Sequence, residues 1–168
     1  MNTAKVSPVK GELDLEKVGK LLTRAKVLAK EYRELTGRPL GITGEVAEYE
    51  AARLLNLSLS EVRQAGYDAM GSDDKRFQIK GRVILESSKP GQRMGRIRFD
   101  HDWDAVLLVL LDGDYAPLEI YEAQRIDVEA ALMEPGSRAR NLRGSLGIRK
   151  FKSIARLVWS RDAKDTAS

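Results

Sequence analysis

The sequence predicts a single mixed α/β domain (α+β with a mixed sheet), and three features lead there. Two segments of helical periodicity come first, strand-like segments around a turn follow, and a continuous apolar run lies beyond them. The 168 residues are enough for one sheet covered by helices and leave no room for a second core of similar size, so residues 1–168 read as one unit. Within it we expect a core over about 41–122, an N-terminal helix over 14–36 and a basic C-terminal segment over 136–161.

From Asp14 to Thr36, Leu15, Val18, Leu21, Leu22, Ala25, Val27, Leu28 and Tyr32 recur at helical spacing, and Gly37 and Pro39 end the helix. A second helix is expected from Thr43, a candidate N-cap, through Leu55, with Asn56 at its exit. Short strands are expected at 62–65 and 67–70. Gly71-Ser72-Asp73-Asp74 supplies turn chemistry and Arg76–Ile84 returns. Ser87–Gly95 reads as a loop and Arg96–Phe99 as another short strand. Asp104–Leu111 is an apolar run suited to a strand buried on both faces, and Pro117–Tyr121 pairs with it as a hairpin. Ala123–Met133 returns to helical spacing. Ile148, Phe151, Ile154, Ala155 and Val158 suggest one more short helix.

At 42% hydrophobic and 32% charged, the composition excludes a disordered or membrane-spanning chain. The absence of cysteine excludes a disulfide framework, a thiolate metal site and a cysteine nucleophile. The N-terminal residues lack a signal-peptide pattern, so a cytoplasmic location is the default expectation. No G-x-x-x-x-G-K-[ST] occurs, which rejects an NTPase although Val106–Asp112 mimics a Walker B strand. A single histidine and no G-x-S-x-G disfavour serine-hydrolase chemistry. That histidine, His101, lies in an Asp-rich stretch that reads as a hydrated turn.

The net charge of +4 is mild, but its distribution is not. Pro135–Arg161 contains no acid, while Arg138, Arg140, Arg143, Arg149, Lys150, Lys152, Arg156 and Arg161 are basic. A second stretch carries Lys75, Arg76, Lys80, Arg82, Lys89, Arg93, Arg96 and Arg98, with Glu86 its only acid. Such clustering fits a polyanion partner. Arg82, Arg93, Arg96, Arg149, Lys150 and Lys152 are the candidate nucleic-acid contacts.

The chemistry-bearing segment is Gly66-Tyr67-Asp68-Ala69 followed by Phe77-Gln78-Ile79-Lys80. Strand alternation places Gln78 and Lys80 on one face and Phe77 and Ile79 on the other. Asp68 stands opposite Gln78 if the connecting loop has three or five residues, and a four-residue loop would turn it away. A lysine beside a metal-ligand oxygen can orient water or stabilise charge on a phosphate.

An acidic helix residue, an Asp on a strand and a Gln-x-Lys strand resemble the PD-(D/E)XK nuclease superfamily, in the QxK form of Mrr-type restriction endonucleases. The similarity spans roughly Gly41 to Tyr121. It implies a restriction-endonuclease-like core: helix, three antiparallel strands, a crossover and a further strand. It also implies magnesium (or manganese) assisted hydrolysis of phosphodiesters in DNA. By resemblance, Asp68 is the central metal ligand, Gln78 occupies the acid position, Lys80 is the motif lysine and Glu45 is the helix acid. Tyr67 stands where the name-giving proline would be. Glu45 competes with Glu48 and Glu50 and is preferred for its place behind Gly44. The alternative is a non-catalytic nucleic-acid-binding module on the same fold. No membrane partner is expected, and pairing into a homodimer is left open.

Overall fold

Capping residues set the first helix. In the computed structural model, which describes residues 13–60, 66–135 and 144–165, α1 runs Leu15–Thr36. The Asp14 carboxylate accepts from Lys17 N at 3.1 Å, and Gly37 closes the helix in the left-handed region at φ 67°. Helix α2 spans Thr43–Leu55 and ends at Asn56, also left-handed at φ 55°. Thr43 is its first helical residue and not its cap. Ile42 precedes it and offers no side-chain acceptor.

Six strands form one sheet in sequential order: β1 (Ser58–Leu59), β2 (Ala69–Met70), β3 (Arg76–Val83), β4 (Ala105–Leu111), β5 (Pro117–Gln124) and β6 (Arg156–Ser160). All neighbours are antiparallel except β3 and β4, which are parallel. A parallel pair needs a crossover, and residues 84–104 supply it. The fold is thus a mixed α+β domain built on a mixed sheet. Among the described residues no helix is long and apolar enough to cross a membrane.

All seven residues of β4 are buried because both faces of the sheet are covered. Ala105, Leu107, Val109 and Leu111 join Phe77 and Ile79 beneath α2, while Val106, Leu108 and Leu110 meet Met94, Ile97 and Trp103 on the other face. Helix α2 lies close to the sheet because the apolar residues of its buried side are small: Val46, Ala47, Ala51 and Ala52. The tightest approach is at Gly81, where an added Cβ would fall 2.6 Å from Ala47 Cβ and 2.8 Å from Thr43 O. This contact holds the start of α2 over the middle of β3.

The crossover contains no helix, and the strand expected at Arg96–Phe99 does not form. Its backbone groups find partners one by one, as covered irregular chain requires. Met94 N donates to Leu146 O and Ile97 N to Gly144 O, each at 2.8 Å. The Arg125 guanidinium donates to the carbonyls of Phe99, His101 and Trp103. The His101 stretch is therefore a pinned turn, and Arg76 pairs with Asp102 and Asp104 beside it.

Several boundaries differ from expectation: the strand expected at 67–70 keeps only Ala69–Met70, so Asp68 lies just outside it, and Arg76–Ile84 ends at Val83. Ala123 and Gln124 complete β5, and α3 occupies Arg125–Met133. The basic tail forms α4 only over Ile148–Ile154. Val158 then lies in β6, which pairs with β5, and the short α5 (Asp162–Asp165) follows. The Leu157-Val158-Trp159 run suits a strand, and the open edge of β5 decides in its favour. The strand expected at 62–65 and the basic residues Arg138, Arg140 and Arg143 lie outside the described residues.

Candidate active site

Met70 pairs with Arg76 across a five-residue loop, Gly71–Lys75, and Ala69 pairs with Phe77. Continued by one residue, this register sets Asp68 opposite Gln78, the arrangement that a five-residue loop requires. Strand β2 then leaves the sheet. Asp68 N still donates to Phe77 O at 2.8 Å, and its carboxylate Oδ2 takes Ile79 N at 2.7 Å. A side chain thus finishes the ladder where the backbone departs. Beyond it the β3 edge at Lys80 and Arg82 is free of β2.

Lys80 is half-buried, and burial lowers its pKa. The negative charges of Asp68 and Glu48 act against that shift, while Arg98 and Arg82 add to it. Glu48 lies one helical turn after Glu45 on α2, the helix that packs over Phe77 and Ile79. Burial pushes its carboxyl up to about 7, the charges of Asp68 and Glu45 push the same way, and Lys80 offsets part of the effect. Asp68 and Glu48 therefore act on the Lys80 ammonium through charge, and among the described residues neither forms an ion pair with it.

Of the three acids on α2, Glu45 is exposed in the first turn, where it acts on Glu48. Glu50 is only 3% exposed and is held by Lys26 at 2.8 Å and Arg53 at 2.7 Å. Glu48 is the helix acid charge-coupled to Asp68 and Lys80, a place sequence reasoning assigned to Glu45. Helical spacing contained the signal: with Val46, Ala47, Glu50 and Ala51 buried, Glu45 and Glu48 share what remains of that side.

Gln78 is 3% exposed, and both ends of its amide are engaged. Nε2 donates to Arg98 O at 3.0 Å, and Oε1 accepts from Arg98 N at 3.2 Å. It fastens the crossover to β3 beside the site. The crossover also passes over the lysine itself, since a Cβ on Gly95 would meet Lys80 Cδ at 3.7 Å.

Several expected nucleic-acid contacts are engaged within the protein. Arg82 donates to Arg93 O at 2.6 Å, Arg93 donates to Ser145, Lys150 pairs with Glu134 at 2.7 Å, and Lys152 pairs with Glu119 at 3.1 Å. Arg96 and Arg149 are exposed and form no ion pair among the described residues, and neither does Arg98, which sequence reasoning had not singled out. The two basic stretches meet at the Arg93–Gly147 bridge. Beside it a groove of about 830 Å³ is lined by residues of both, including Lys89, Arg149 and Lys152.

No family model matches the chain, and no curated protein matches it. Among the described residues no three His, Cys, Asp or Glu side chains are grouped to hold a metal ion. The carboxylates whose charges bear on Lys80 are Asp68 and Glu48, and Glu45 acts on Glu48. These are hard oxygen ligands, and magnesium is commonly bound through one or two carboxylates with its remaining positions taken by water or substrate. Carboxylates are the ligand type that magnesium takes and not the type preferred by a thiolate- or imidazole-binding metal.

Proposed function

We propose that this protein is a magnesium-dependent endonuclease of the PD-(D/E)XK type that hydrolyses phosphodiester bonds in DNA. The observation that carries the proposal is the Asp68 carboxylate fixed at the edge of β3 where β2 ends, with its charge and that of Glu48 acting on half-buried Lys80. The order of helix α2, three antiparallel strands, a crossover and a parallel fourth strand supports a restriction-endonuclease-like core.

Asp68 and Glu48 would hold magnesium or manganese, with Glu45 adding negative charge from the first turn of α2. Bound there, the ion would polarise a phosphoryl oxygen and acidify a water. Lys80 positions the attacking water and offsets the charge that grows on the phosphoryl oxygens as one P–O ester bond gives way. The hydrogen bond from Ile79 N keeps the Asp68 carboxylate fixed, so its free oxygen is pre-aimed. Gln78 holds the Arg98 segment to β3, and exposed Arg96, Arg98 and Arg149 would meet a phosphate backbone.

Incubating plasmid DNA with the protein and magnesium tests this reading. Cleavage should fall by about 10²-fold or more in Lys80→Ala and Asp68→Ala. Absence of wild-type cutting, or equal cutting by all three proteins, overturns it. A second reading, a non-catalytic nucleic-acid-binding module, is favoured by the full engagement of Gln78 at the position of an expected ligand. It requires DNA binding that weakens steeply with salt and no magnesium-dependent cutting.

A further inference from the structure

Helix α1 presents a second apolar stripe that the domain does not use. Leu21, Leu28 and Leu35 recur every seven residues and are 62%, 59% and 86% exposed, with Tyr32 beside them at 39%. Leu15, Leu22 and Ala29 face the core along a different line of the same helix. A heptad-spaced stripe on a helix of 22 residues is the geometry of a helix–helix seam. A shallow groove of about 460 Å³ runs along it, bordered by Arg24, Val27 and Glu31.

The rim charges identify the occupant. Arg24 and Glu31 lie two turns apart on one side of the stripe. Neither has an opposite charge three or four residues away in the helix, and neither forms an ion pair among the described residues. Turned antiparallel about a two-fold axis between Val27 and Leu28, a second α1 places its Glu31 opposite Arg24 and its Arg24 opposite Glu31. The same operation sets Leu21 near the partner's Leu35 and brings the two Leu28 side chains together. A parallel arrangement would instead present this rim to the Leu22 and Ala29 side, which carries no charge and packs on its own domain.

We infer that α1 is a homodimer interface in which two copies of this chain pair antiparallel through Leu21, Leu28 and Leu35, with reciprocal Arg24–Glu31 ion pairs. The contact is isologous, so it closes at two copies. It does not depend on the nuclease reading.

Sedimentation equilibrium of the full chain tests it, with circular dichroism melts to show that each variant folds. The wild type should reach twice the chain mass of 18.7 kDa at about 100 μM. Leu28→Glu should be monomeric. Arg24→Glu and Glu31→Arg should each weaken the dimer by about tenfold or more, because symmetry converts both ion pairs into like-charge contacts. The double variant Arg24→Glu/Glu31→Arg should restore it, since the swap recreates both pairs. A monomeric wild type, which would leave the stripe to another occupant such as the chain's own first residues, overturns the proposal. So does a dimer indifferent to Leu28→Glu, or a double variant no better than the single ones.

Discussion

Glu50 and Glu48 are two residues apart on α2 and end in opposite electrostatic situations. Glu50 is almost fully buried, and Lys26 from α1 and Arg53 from its own helix both reach it. Glu122 on β5 is treated the same way, with Lys75 and Arg156 as its cations and Gln124 as a further donor. Glu48 is less buried, yet its nearest charges include Asp68 and Glu45, and only Lys80 opposes them. Where a buried acid serves the architecture, the fold supplies enough positive charge. Around Glu48 burial and two acids act against a single lysine, and its carboxyl is raised as a result.

The largest effect that separates the two acids should come from Glu50→Ala. It leaves Lys26, which is 20% exposed, without its partner and should cost about 2–3 kcal/mol in urea denaturation. A loss below about 0.5 kcal/mol would show that the clasp between α1 and α2 is ornamental.

Glu48→Gln should act in the opposite direction. The folded-state pKa is raised from 4.5 to about 7, so between those values the folded protein keeps a proton that the unfolded chain has released. Stability therefore falls as pH rises across that interval and is flat above it. Replacing the acid by the neutral amide should leave stability unchanged near pH 4 and raise it by about 1–2 kcal/mol near pH 8, allowing for the solvent screening of a half-buried group. Thermal melts at the two pH values measure the difference. An equal shift at both would mean that packing, not charge, is responsible.

Magnesium should sharpen the same contrast. At pH 8 it should raise the melting temperature of the wild type by a few degrees, as a ligand of the folded state does, and leave Asp68→Asn unmoved. The smallest effect is expected from Arg53→Ala. Its side chain is 47% exposed and Glu50 retains Lys26, so the loss should stay within about 1 kcal/mol.

Much of this arrangement is legible in the sequence because it depends on neighbours along the chain. Asp14 and Gly37 bracket α1, Asn56 ends α2, and the unbroken apolar run marks β4 as covered on both sides. The five-residue loop, once known, sets Asp68 across from Gln78. Alternation alone puts Phe77 and Ile79 in one core and Lys80 on the other side.

The rest was decided in three dimensions. Glu45, Glu48 and Glu50 are chemically alike, and their roles follow from which surface each meets. That is set by the close approach of Ala47 and Thr43 to Gly81, a contact between residues more than thirty positions apart. Residues 84–104 cover the second face without a helix because their backbone groups find carbonyls and amides on distant segments, Gln78 among them. The helical spacing of the tail stops at Ile154 because β5 offers an unpaired edge to the residues that follow. Local periodicity determined the helices, the central strand and the face of the sheet that carries Lys80. Which acid acts on that lysine by charge, and what covers it, depended on long-range packing and on the need of buried polar groups for partners.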